Sequence, residues 1–516
     1  MGFFPLHRLI SSQQRDRRRR RRGASLEKRN HKACLQDGEA TRAVKKAGPC
    51  LPEDIWIHIH SLLPLQDAAR AACVSRTFLH SWRCRPNLTL SPETLNLKKN
   101  GNGEGGEISD DVSGYLARNI NSILGEHWGI GLKALKFELL DCPDISYRDL
   151  NSWLCFALKS QVEELSLWLH SAFTEVYNFP WSRLSEGCGN SIRSLHLSCC
   201  VFRPVAGLGC LRNLSILELY GVCITGDELG WLLSTSLALE ELHLMDCSEI
   251  ICLEIPCLLD RLSHLVVSEC KNLEVIESKA PNLLSFVYTG SQVQLSFGDS
   301  LQNMTLMDSV WNEIICYARE RLPHMVPRLE SLDICTSFER DTPVVPGEFI
   351  YLKHLNFSFV AWSSGFCPDY DYLSLVSLLD ACPALETFTL SVSQDGMDHV
   401  PVSGDPSCLR QMTGHHHNNL KDVSILGFCS AKSMVELTCH ILENAPSLER
   451  LVLDPSATDV RGCSDESVSC LPISRRMVME SRRAVSAVQN YIVGRVPSTV
   501  ELTIVEPCTR CHGAVA

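Results

Sequence analysis

The sequence predicts an α/β fold in which a short block of three helices precedes a long solenoid of repeated strands. Three observations support this prediction: an apolar spacing that recurs along most of the chain, a compact apolar block at residues 48–90, and a globular composition. Of the 516 residues, 45% are hydrophobic and 21% are charged, which excludes a collagen-like or wholly disordered chain. A chain of this length can also bury a large core.

The recurring spacing is an apolar residue, two spacers, a second apolar residue, one spacer and a third apolar residue. Its copies are Leu132-Leu135-Phe137, Val162-Leu165-Leu167, Ile192-Leu195-Leu197, Leu214-Leu217-Leu219, Leu239-Leu242-Leu244, Leu262-Leu265-Val267, Leu283-Phe286-Tyr288, Leu301-Met304-Leu306, Leu329-Leu332-Ile334, Leu352-Leu355-Phe357, Leu385-Phe388-Leu390, Leu420-Val423-Ile425 and Leu448-Leu451-Leu453. From Ile192 to Leu352 successive copies start 22, 25, 23, 21, 18, 28 and 23 residues apart, close to the period of about 20–29 residues of leucine-rich repeats, and the spacing stretches to 33 and 35 after Leu352. The last two apolar positions face one side of a strand, and stacked copies bury that side. The pattern therefore predicts a leucine-rich-repeat solenoid.

Between the copies lie segments compatible with helices, such as 225–237 and 372–381. Cys200, Cys247 and Cys270 each follow a predicted strand three residues after its last apolar position. A buried thiol behaves as a small hydrophobe, so most of the cysteines are expected to be structural. In so long a chain they do not indicate a disulfide framework, and we expect reduced thiols inside the cell. The longest charge-free stretch, 280–298, contains proline and amides, so we expect a soluble protein without a membrane span.

Charge divides the chain in two. Residues 1–50 hold 14 Lys and Arg against 4 Asp and Glu, whereas the whole chain has a net charge of −12. We expect the tail to be disordered, because so dense a basic run cannot be buried. Its cluster Arg17, Arg18, Arg19, Arg20, Arg21 and Arg22 favours a nuclear-import signal and hence a protein of nucleus and cytoplasm. The alternatives are a solvated tail without a targeting signal and an organelle transit peptide. The acidic remainder of the chain disfavours general nucleic-acid binding.

The compact block has the signals of three short helices. Pro52, Glu53 and Asp54 suit a first helical turn, and Ile55, Ile59 and Leu62 then share one face. Pro64 ends that helix, a second helix is predicted from Leu65 to Val74, and a third is predicted over 75–83. Three such helices are marginal as an independent fold, so the block is expected to gain stability by docking its apolar face on a partner.

Particular residues of this block resemble an F-box, the motif that binds the Skp-type adaptor of cullin-based SCF ubiquitin ligases. The matching residues are Leu51-Pro52, Leu62-Leu63-Pro64, Ala71, Cys73-Val74-Ser75-Arg76 and Trp82. His60 and Phe78 depart from the pattern, which usually has Leu at the first position and often has Trp at the second. The resemblance implies that the adaptor is bound by Leu51, Pro52, Ile55, Ile59, Pro64, Val74 and Trp82.

The rest of the chain resembles plant F-box/leucine-rich-repeat proteins, with an FBD-like C-terminal region. Segments 420–428, 442–446, 451–455 and 495–502 are the ones similar to that region. The expected organisation is a basic disordered tail at 1–47, an F-box at 48–90, a linker and helical connection at 91–129, leucine-rich repeats at 130–410, an FBD-like region continuing the repeats at 411–505 and a disordered tail at 506–516.

Function follows from the two parts together. The resemblance implies a non-catalytic substrate-recognition subunit of an SCF-type ligase, whose adaptor links it to a cullin and whose repeats bind an unknown protein to be ubiquitinated. Outward strand positions predict the binding surface, because stacked strands align them in columns and aromatic and Met residues are typical of interface cores. These positions are Trp168, His196, Glu218, Tyr220, His243, Met245, Met307 and Asp333. A repeat scaffold or receptor without ubiquitin transfer, and a nucleic-acid-associated protein acting through the arginine tail, remain alternatives.

Two sequence patterns suggest metal or haem chemistry but lack the context for it. The C-x-x-C-H pattern of Cys508 to His512 lies after the last predicted strand, where we expect a disordered tail. His415, His416 and His417 lie among Gly and Asn, which favours a solvated loop. We therefore expect no metal, no cofactor and no enzyme active site.

Overall fold

The computed structural model describes residues 51–97, 111–140, 142, 144–170, 176–185, 188–205, 211–308, 314–336, 347–360, 370–393, 399–412, 416–455 and 475–506. The chain from Pro52 onward forms one compact unit. The arginine cluster at 17–22, the predicted linker at 98–107, His415 and the C-x-x-C-H pattern lie outside the described residues.

The described helices form the N-terminal block and the returns between strands. They are α1 (Glu53–Ser61), α2 (Leu65–Val74), α3 (Arg76–Arg83), α4 (Asp111–Glu126), α5 (Tyr147–Lys159), α6 (Trp181–Ser185), α7 (Gly226–Thr235), α8 (Ile314–Met325), α9 (Val376–Asp380), α10 (Lys432–Asn444) and α11 (Arg475–Ala487). Short 3₁₀ turns cover Cys188–Ser191, Tyr372–Leu375, Pro406–Cys408 and Val493–Arg495, and a π-helical turn covers Val488–Ile492. None of the described helices has the length and apolar character needed to cross a bilayer.

A single parallel sheet runs the length of the repeats. Its fifteen strands, counted over the described residues and given in spatial order, are β1 (Asn87–Leu90), β2 (Ala134–Glu138), β3 (Glu164–Trp168), β5 (Ser194–Ser198), β7 (Ile216–Tyr220), β8 (Glu241–Met245), β10 (His264–Ser268), β12 (Ser285–Gly290), β14 (Asn303–Asp308), β15 (Ser331–Thr336), β16 (His354–Phe359), β17 (Thr387–Val392), β18 (Asp422–Leu426), β19 (Arg450–Asp454) and β20 (Glu501–Ile504). Each inner strand of this series pairs with the member before it and the member after it, so the topology is that of a solenoid.

The apolar repeat is the core of this solenoid. Every residue of the thirteen predicted copies is exposed by 3% or less. Matching positions are also register partners: Leu217 pairs with Leu242, and Leu242 with Leu265. The predicted leucine-rich-repeat solenoid is therefore confirmed, because each strand places its frame residues between those of its neighbours.

The segments that connect successive strands of the main sheet are partly helical, as predicted. Helix α7 begins with a capping box: the Thr225 hydroxyl accepts the backbone N–H of Glu228 at 3.3 Å, and the Glu228 carboxylate accepts the backbone N–H of Thr225 at 2.9 Å. Segment 372–381 forms a 3₁₀ turn followed by α9. Other returns are extended: β9 (Cys252–Ile255), β11 (Val275–Ser278) and β13 (Gln294–Ser296) form a small parallel sheet, and β4 (Tyr177–Asn178) pairs with β6 (Cys200–Val201).

A left-handed residue follows several neighbouring strands at the same position. Cys199, Gly221, Asp246 and Glu269 have φ values of +48°, +58°, +51° and +55°. The next residue then enters the core, as Cys200, Cys247 and Cys270 do. The Cys247 thiol donates to the Met245 carbonyl at 3.5 Å, and the Cys270 thiol to that of Ser268 at 3.6 Å. These cysteines are structural, as predicted, and no cysteine among the described residues forms a disulfide.

The sheet begins earlier than residue 130, where the sequence placed the first repeat. Strand β1 lies inside the predicted F-box segment 48–90, and its Leu88 pairs with Leu135 of β2. Leu88 and Leu90 belong to the large core rather than to the helical block. At the other end, β18, β19 and β20 continue the same sheet through the segments that resemble an FBD region.

Candidate functional site: a helical docking surface and a strand face

The N-terminal helices follow the predicted boundaries closely. Pro52 and Pro64 are the N-caps of α1 and α2, where the missing N–H of proline is no loss. Ser75 separates α2 from α3 in an extended conformation. Between the helices lies a small core of Ala68, Ala72 and Trp82. The fully buried apolar contact between the three helices is therefore small. Other apolar side chains of the block stay at its surface.

The two departures from the F-box pattern contact each other. The His60 ring is fully buried and stacks on Phe78, with ring centroids 5.8 Å apart and an interplanar angle of 25°. His60 also donates from Nε2 to the Ala68 carbonyl oxygen at 3.0 Å, which ties α1 to α2. Burial lowers the pKa of His60 below its ordinary value, against the opposing effect of that hydrogen bond, and nearby Arg85 lowers it further. A neutral imidazole thus takes the place that Leu usually has.

Most of the predicted adaptor residues form an exposed apolar surface. The exposed fractions are Leu51 41%, Ile55 39%, Ile59 39% and Val74 82%, and Leu62, which was not among the predicted contacts, is 68% exposed. Pro52 and Pro64 are also exposed. Ile55, Ile59 and Leu62 share one face of α1 by their spacing, and large exposed apolar side chains that lie together in this way mark an interaction site. We call Pro52, Ile55, Ile59, Leu62, Pro64 and Val74 the helical docking surface.

Trp82 differs from the other predicted adaptor residues in being buried. It is only 8% exposed, packs in the small core, and approaches the His60 ring edge-on at 6.4 Å. This packing holds the three helices together, and a direct contact of Trp82 with the adaptor stays a prediction. The helical spacing of apolar residues in α3 is the same for a core residue and for a surface contact, so the sequence could not distinguish the two.

Arg85 joins the helical block to the repeats. Its guanidinium is buried and donates to the carbonyl oxygens of His60, Ser61 and Leu63 at 2.8–3.1 Å, at and just after the C-terminal end of α1. The Arg85 carbonyl accepts from Nε2 of His127 at 2.9 Å, and Nδ1 of His127 accepts the Gly129 N–H at 2.9 Å. Burial lowers the pKa of His127, consistent with a neutral ring.

Further contacts fix the same junction. The Pro86 carbonyl accepts the N–H groups of Lys133 and Ala134 at 2.7 and 3.1 Å, directly before β2. The Arg83 carbonyl accepts the Trp128 N–H at 3.0 Å, and the Arg83 side chain pairs with Glu126 at 2.8 Å. These contacts tie the helical block to the first strands of the repeat sheet.

The eight residues predicted to bind substrate all lie on the outward face of the sheet, half-buried. His196, Glu218 and His243 are successive register partners in one column. Trp168, Tyr220 and Met245 lie two residues further along their strands, and Tyr220 pairs with Met245. Met307 and Asp333 lie on β14 and β15, further along the sheet. The structure thus brings six of the eight together and places the other two apart.

Glu218 is the centre of a hydrogen-bonded chain on this face. Its carboxylate lies 2.6 Å from Nδ1 of His196 and 3.5 Å from Nδ1 of His243, and the Ser194 hydroxyl lies 2.7 Å from Nε2 of His196. Burial alone would raise the pKa of Glu218, but the hydrogen bond from His196 and the nearby charges of His196, His243 and Lys136 outweigh it and lower that pKa. Glu218 therefore keeps its negative charge in a half-buried position.

The order Ser194, His196, Glu218 has the composition of a nucleophilic triad, and the strand geometry argues against acyl transfer. Such a triad needs free N–H donors for the oxyanion. Strand β5 pairs on both sides, with β3 and with β7, so its backbone groups are used in the ladder. The chain of side chains fixes a charge on the surface, and nothing in this geometry indicates an acyl-transfer site.

The described part of the histidine run, His416 and His417, divides between surface and core. His416 is exposed, but His417 is buried, and its Nε2 lies 3.3 Å from Nε2 of His440. The prediction of a solvated loop is therefore wrong for His417, which packs against α10. Within the residues that the structure describes, no group of three or more His, Cys, Asp or Glu could hold a metal ion.

Comparisons with known proteins agree with this architecture. The family profile described as At1g61320/AtMIF1, LRR domain, matches residues 123–509, and the F-box domain profile matches residues 49–89. Relatives in Arabidopsis thaliana include the F-box/LRR-repeat protein At3g03360 (27% identical, 49% of this chain and 52% of that protein), the FBD-associated F-box protein At5g38590 (24%, 70% and 83%) and the F-box/LRR-repeat protein At3g58940 (24%, 79% and 65%).

The chain thus spans about half the length of the first of these relatives. Among solved structures, an internalin from Listeria monocytogenes is similar over 78% of this chain and 92% of its own, with a TM-score of 0.28 and 13% identity. Because the repeat-domain profile covers well over half of the sequence, the chain belongs to the family of the At1g61320/AtMIF1 leucine-rich-repeat domain and, with its F-box, is an F-box/leucine-rich-repeat protein.

Proposed function

We propose that this chain is the substrate-recognition subunit of an SCF-type cullin ubiquitin ligase. F-box domains generally bind Skp-type adaptors, and the helical docking surface would receive that adaptor. The outward face of the repeats would hold the protein to be ubiquitinated. The chain itself would supply no chemistry: it would raise the effective concentration of the substrate's lysines near the conjugating enzyme that other subunits bring.

The observation that supports this proposal is the exposed apolar surface of the F-box. A protein that needed these side chains for its own stability would bury them, as it buries the repeat frames. Ile55, Ile59 and Val74 instead point outward around a core of two alanines and one tryptophan. Central apolar anchors of this kind dominate the binding energy of protein interfaces.

The test is a purified binding measurement with the full chain and a Skp-type adaptor. We expect the Leu51→Ala/Pro52→Ala variant to bind at least about thirtyfold more weakly, which corresponds to about 2 kcal/mol for the loss of interface anchors. The matched control is Pro256→Ala/Leu258→Ala, which removes the same two residue types from the return between β9 and β10, where Leu258 is exposed. Undiminished binding of the first variant, or equal loss in the control, would contradict the proposed surface.

Ubiquitin transfer separates a ligase subunit from a repeat scaffold. The assembled complex, with cullin and conjugating enzyme, should ubiquitinate a protein that co-purifies with the chain after proteasome inhibition. The Leu51→Ala/Pro52→Ala variant should still bind that protein but lose the transfer. Adaptor binding without any transfer to bound proteins would instead favour the scaffold.

We also propose that the protein is distributed between nucleus and cytoplasm. The support is the basic cluster at 17–22 together with a mass of 57.6 kDa, for which an active signal would aid nuclear entry. Changing all six arginines to alanine should lower the nuclear share of a fluorescent fusion. Salt-sensitive nucleic-acid binding that is lost on deleting residues 1–47 would instead indicate a polyanion-binding tail.

A further inference from the structure

We infer that the outward face of β2, β3, β5, β7 and β8 docks a cationic segment, one in which Arg or Lys stands next to an apolar residue. This inference rests on the proposed function, because it names the chemistry of the protein that the repeats would capture. We give the name acidic-aromatic patch to the residues on this face that carry the argument: Glu138, Glu164, Trp168, Glu218, Tyr220, Glu241 and Met245.

Charge is the first argument for a cationic partner. The five strands present fifteen outward positions, of which Glu138, Glu164, Glu218 and Glu241 are acidic and Lys136 is the one Lys or Arg. Lys136 pairs with Glu164. The two histidines of these positions, His196 and His243, both contact Glu218, and burial lowers the pKa of His243. The carboxylates therefore outnumber the positive charges on the same face, which suits a partner of opposite sign.

The second argument is the apolar part of the patch. Trp168, Tyr220 and Met245 are half-buried along one edge of the carboxylate columns. Aromatic and Met side chains are enriched in the centres of protein interfaces, and the faces of Trp and Tyr rings attract Arg and Lys. Burial raises the pKa of Tyr220, so its ring stays a neutral phenol. A segment with a cation beside an apolar side chain satisfies both halves of the patch at once.

The same sheet supplies a contrast. Strands β12, β14, β15, β16 and β17 also present fifteen outward positions, and among these Asp333 is the one carboxylate. Asp333 accepts from the Thr305 hydroxyl at 3.3 Å and from the Asn356 amide, so its polar neighbours are on the sheet itself. Serine, threonine and asparagine fill most of the other positions. Between β2 and β17, the carboxylates that would select a partner are therefore concentrated on the strands nearest the F-box.

The experiment uses the full chain and three fluorescein-labelled nonapeptides, (Arg-Leu-Ser)₃, (Gln-Leu-Ser)₃ and (Glu-Leu-Ser)₃, in fluorescence anisotropy. We expect the Arg peptide to bind at least about tenfold more tightly than the Gln peptide, to lose affinity with added salt, and the Glu peptide not to bind. Glu164→Gln/Glu218→Gln and Trp168→Ala/Tyr220→Ala should each weaken the Arg peptide about tenfold or more.

The control is Glu254→Gln/Glu277→Gln, which removes two carboxylates that are register partners on the small outer sheet. It should leave the affinity of the Arg peptide unchanged, and circular dichroism should show all variants folded. Equal binding of the Arg and Gln peptides, or equal loss in the outer-sheet control, would overturn the inference. Adaptor binding measured on the same preparations keeps the two proposals apart: it should persist in both face variants, whereas its absence from the parent chain would contradict the proposed function alone.

Discussion

The F-box and the repeats use apolar residues in opposite ways. In the repeats, a spacing with strand periodicity places each frame residue inside the core. In the F-box, a spacing with helical periodicity places Ile55, Ile59 and Leu62 on the outside, and the small core is built from Ala68, Ala72 and Trp82. An apolar stripe is therefore a packing surface in one region and a docking surface in the other. What distinguishes them is the number of neighbouring elements available to cover the stripe.

The repeats always have such neighbours. Each inner strand pairs on both sides, so a frame residue meets its equivalents in the strands before and after. Among the described residues, α2, α3 and Arg85 contact α1 on its His60 side. Three short helices cannot enclose an apolar stripe on every side, which agrees with the marginal core of small domains.

The largest effect should come from removing a frame residue. Phe286 is fully buried in β12 and packs on Phe297 with ring centroids 4.7 Å apart. Phe286→Ala should lower the free energy of unfolding by about 3–5 kcal/mol, because it deletes a buried ring and leaves a cavity. Urea unfolding followed by circular dichroism measures this.

The matched change in the F-box is Ile59→Ala. Since Ile59 lies on the helical docking surface, its truncation should change the free energy of unfolding by less than about 0.5 kcal/mol. A loss comparable to that of Phe286→Ala would show that the F-box stripe is packed within the chain, and the contrast between the two regions would fail.

A smaller effect should appear in the pH dependence of stability, which should differ between the F-box and the repeats. The folded pKa of His60 lies below its ordinary value of 6.5, so the unfolded chain binds a proton there more readily than the folded chain does. Stability should therefore fall as the pH drops below 6.5, and the loss should begin in the F-box. Hydrogen exchange of α1 and α2 at pH 5.5 and 7.5 locates it.

His60→Leu, which restores the residue usual in the F-box pattern, should weaken this pH dependence. It should not abolish it, because burial also lowers the pKa of His127 at the junction. A pH dependence identical to that of the parent chain would exclude His60 as its source.

The smallest effect concerns the left-handed turns at the strand ends. Asp246 and Gly221 occupy the same position in neighbouring repeats, with φ of +51° and +58°. Asp246→Gly should raise the free energy of unfolding by up to about 1 kcal/mol, and Gly221→Ala should lower it by a similar amount. A Cβ at Gly221 would meet nothing closer than the Cys199 sulfur at 3.5 Å, so the change tests backbone strain alone.

The same comparison shows how far the sequence can be read. The frames and the bounds of α2 were predictable because they depend on residues near one another in the chain. The outward position of Trp168, Glu218 and Met245 was predictable as well, because strand side chains alternate with a period of two. Strand β1 was missed, because it is a single copy cut off from the other frames by a glycine-rich segment.

Contacts between distant residues could not be read in this way. The packing of His417 on His440 and the burial of Trp82 depend on which elements lie beside them. The stacking of His60 on Phe78 joins two departures from the pattern that, taken singly, look like weaknesses. Each of these features needed tertiary structure to become visible.

The junction at Arg85 and Pro86 joins the F-box directly to the first strand, so position along the solenoid sets the distance from the F-box. With no free linker between α3 and β1, a protein held on a given strand stands at a set distance from the F-box. Neighbouring strands are about 4.8 Å apart, so the fourteen intervals of the main sheet span about 67 Å along its course. Deleting one repeat between β1 and the strand that holds a bound protein would shorten that distance by one interval and rotate the bound protein slightly about the solenoid axis. The number of repeats would then decide which lysines of a bound protein come within reach, independently of how tightly it is bound.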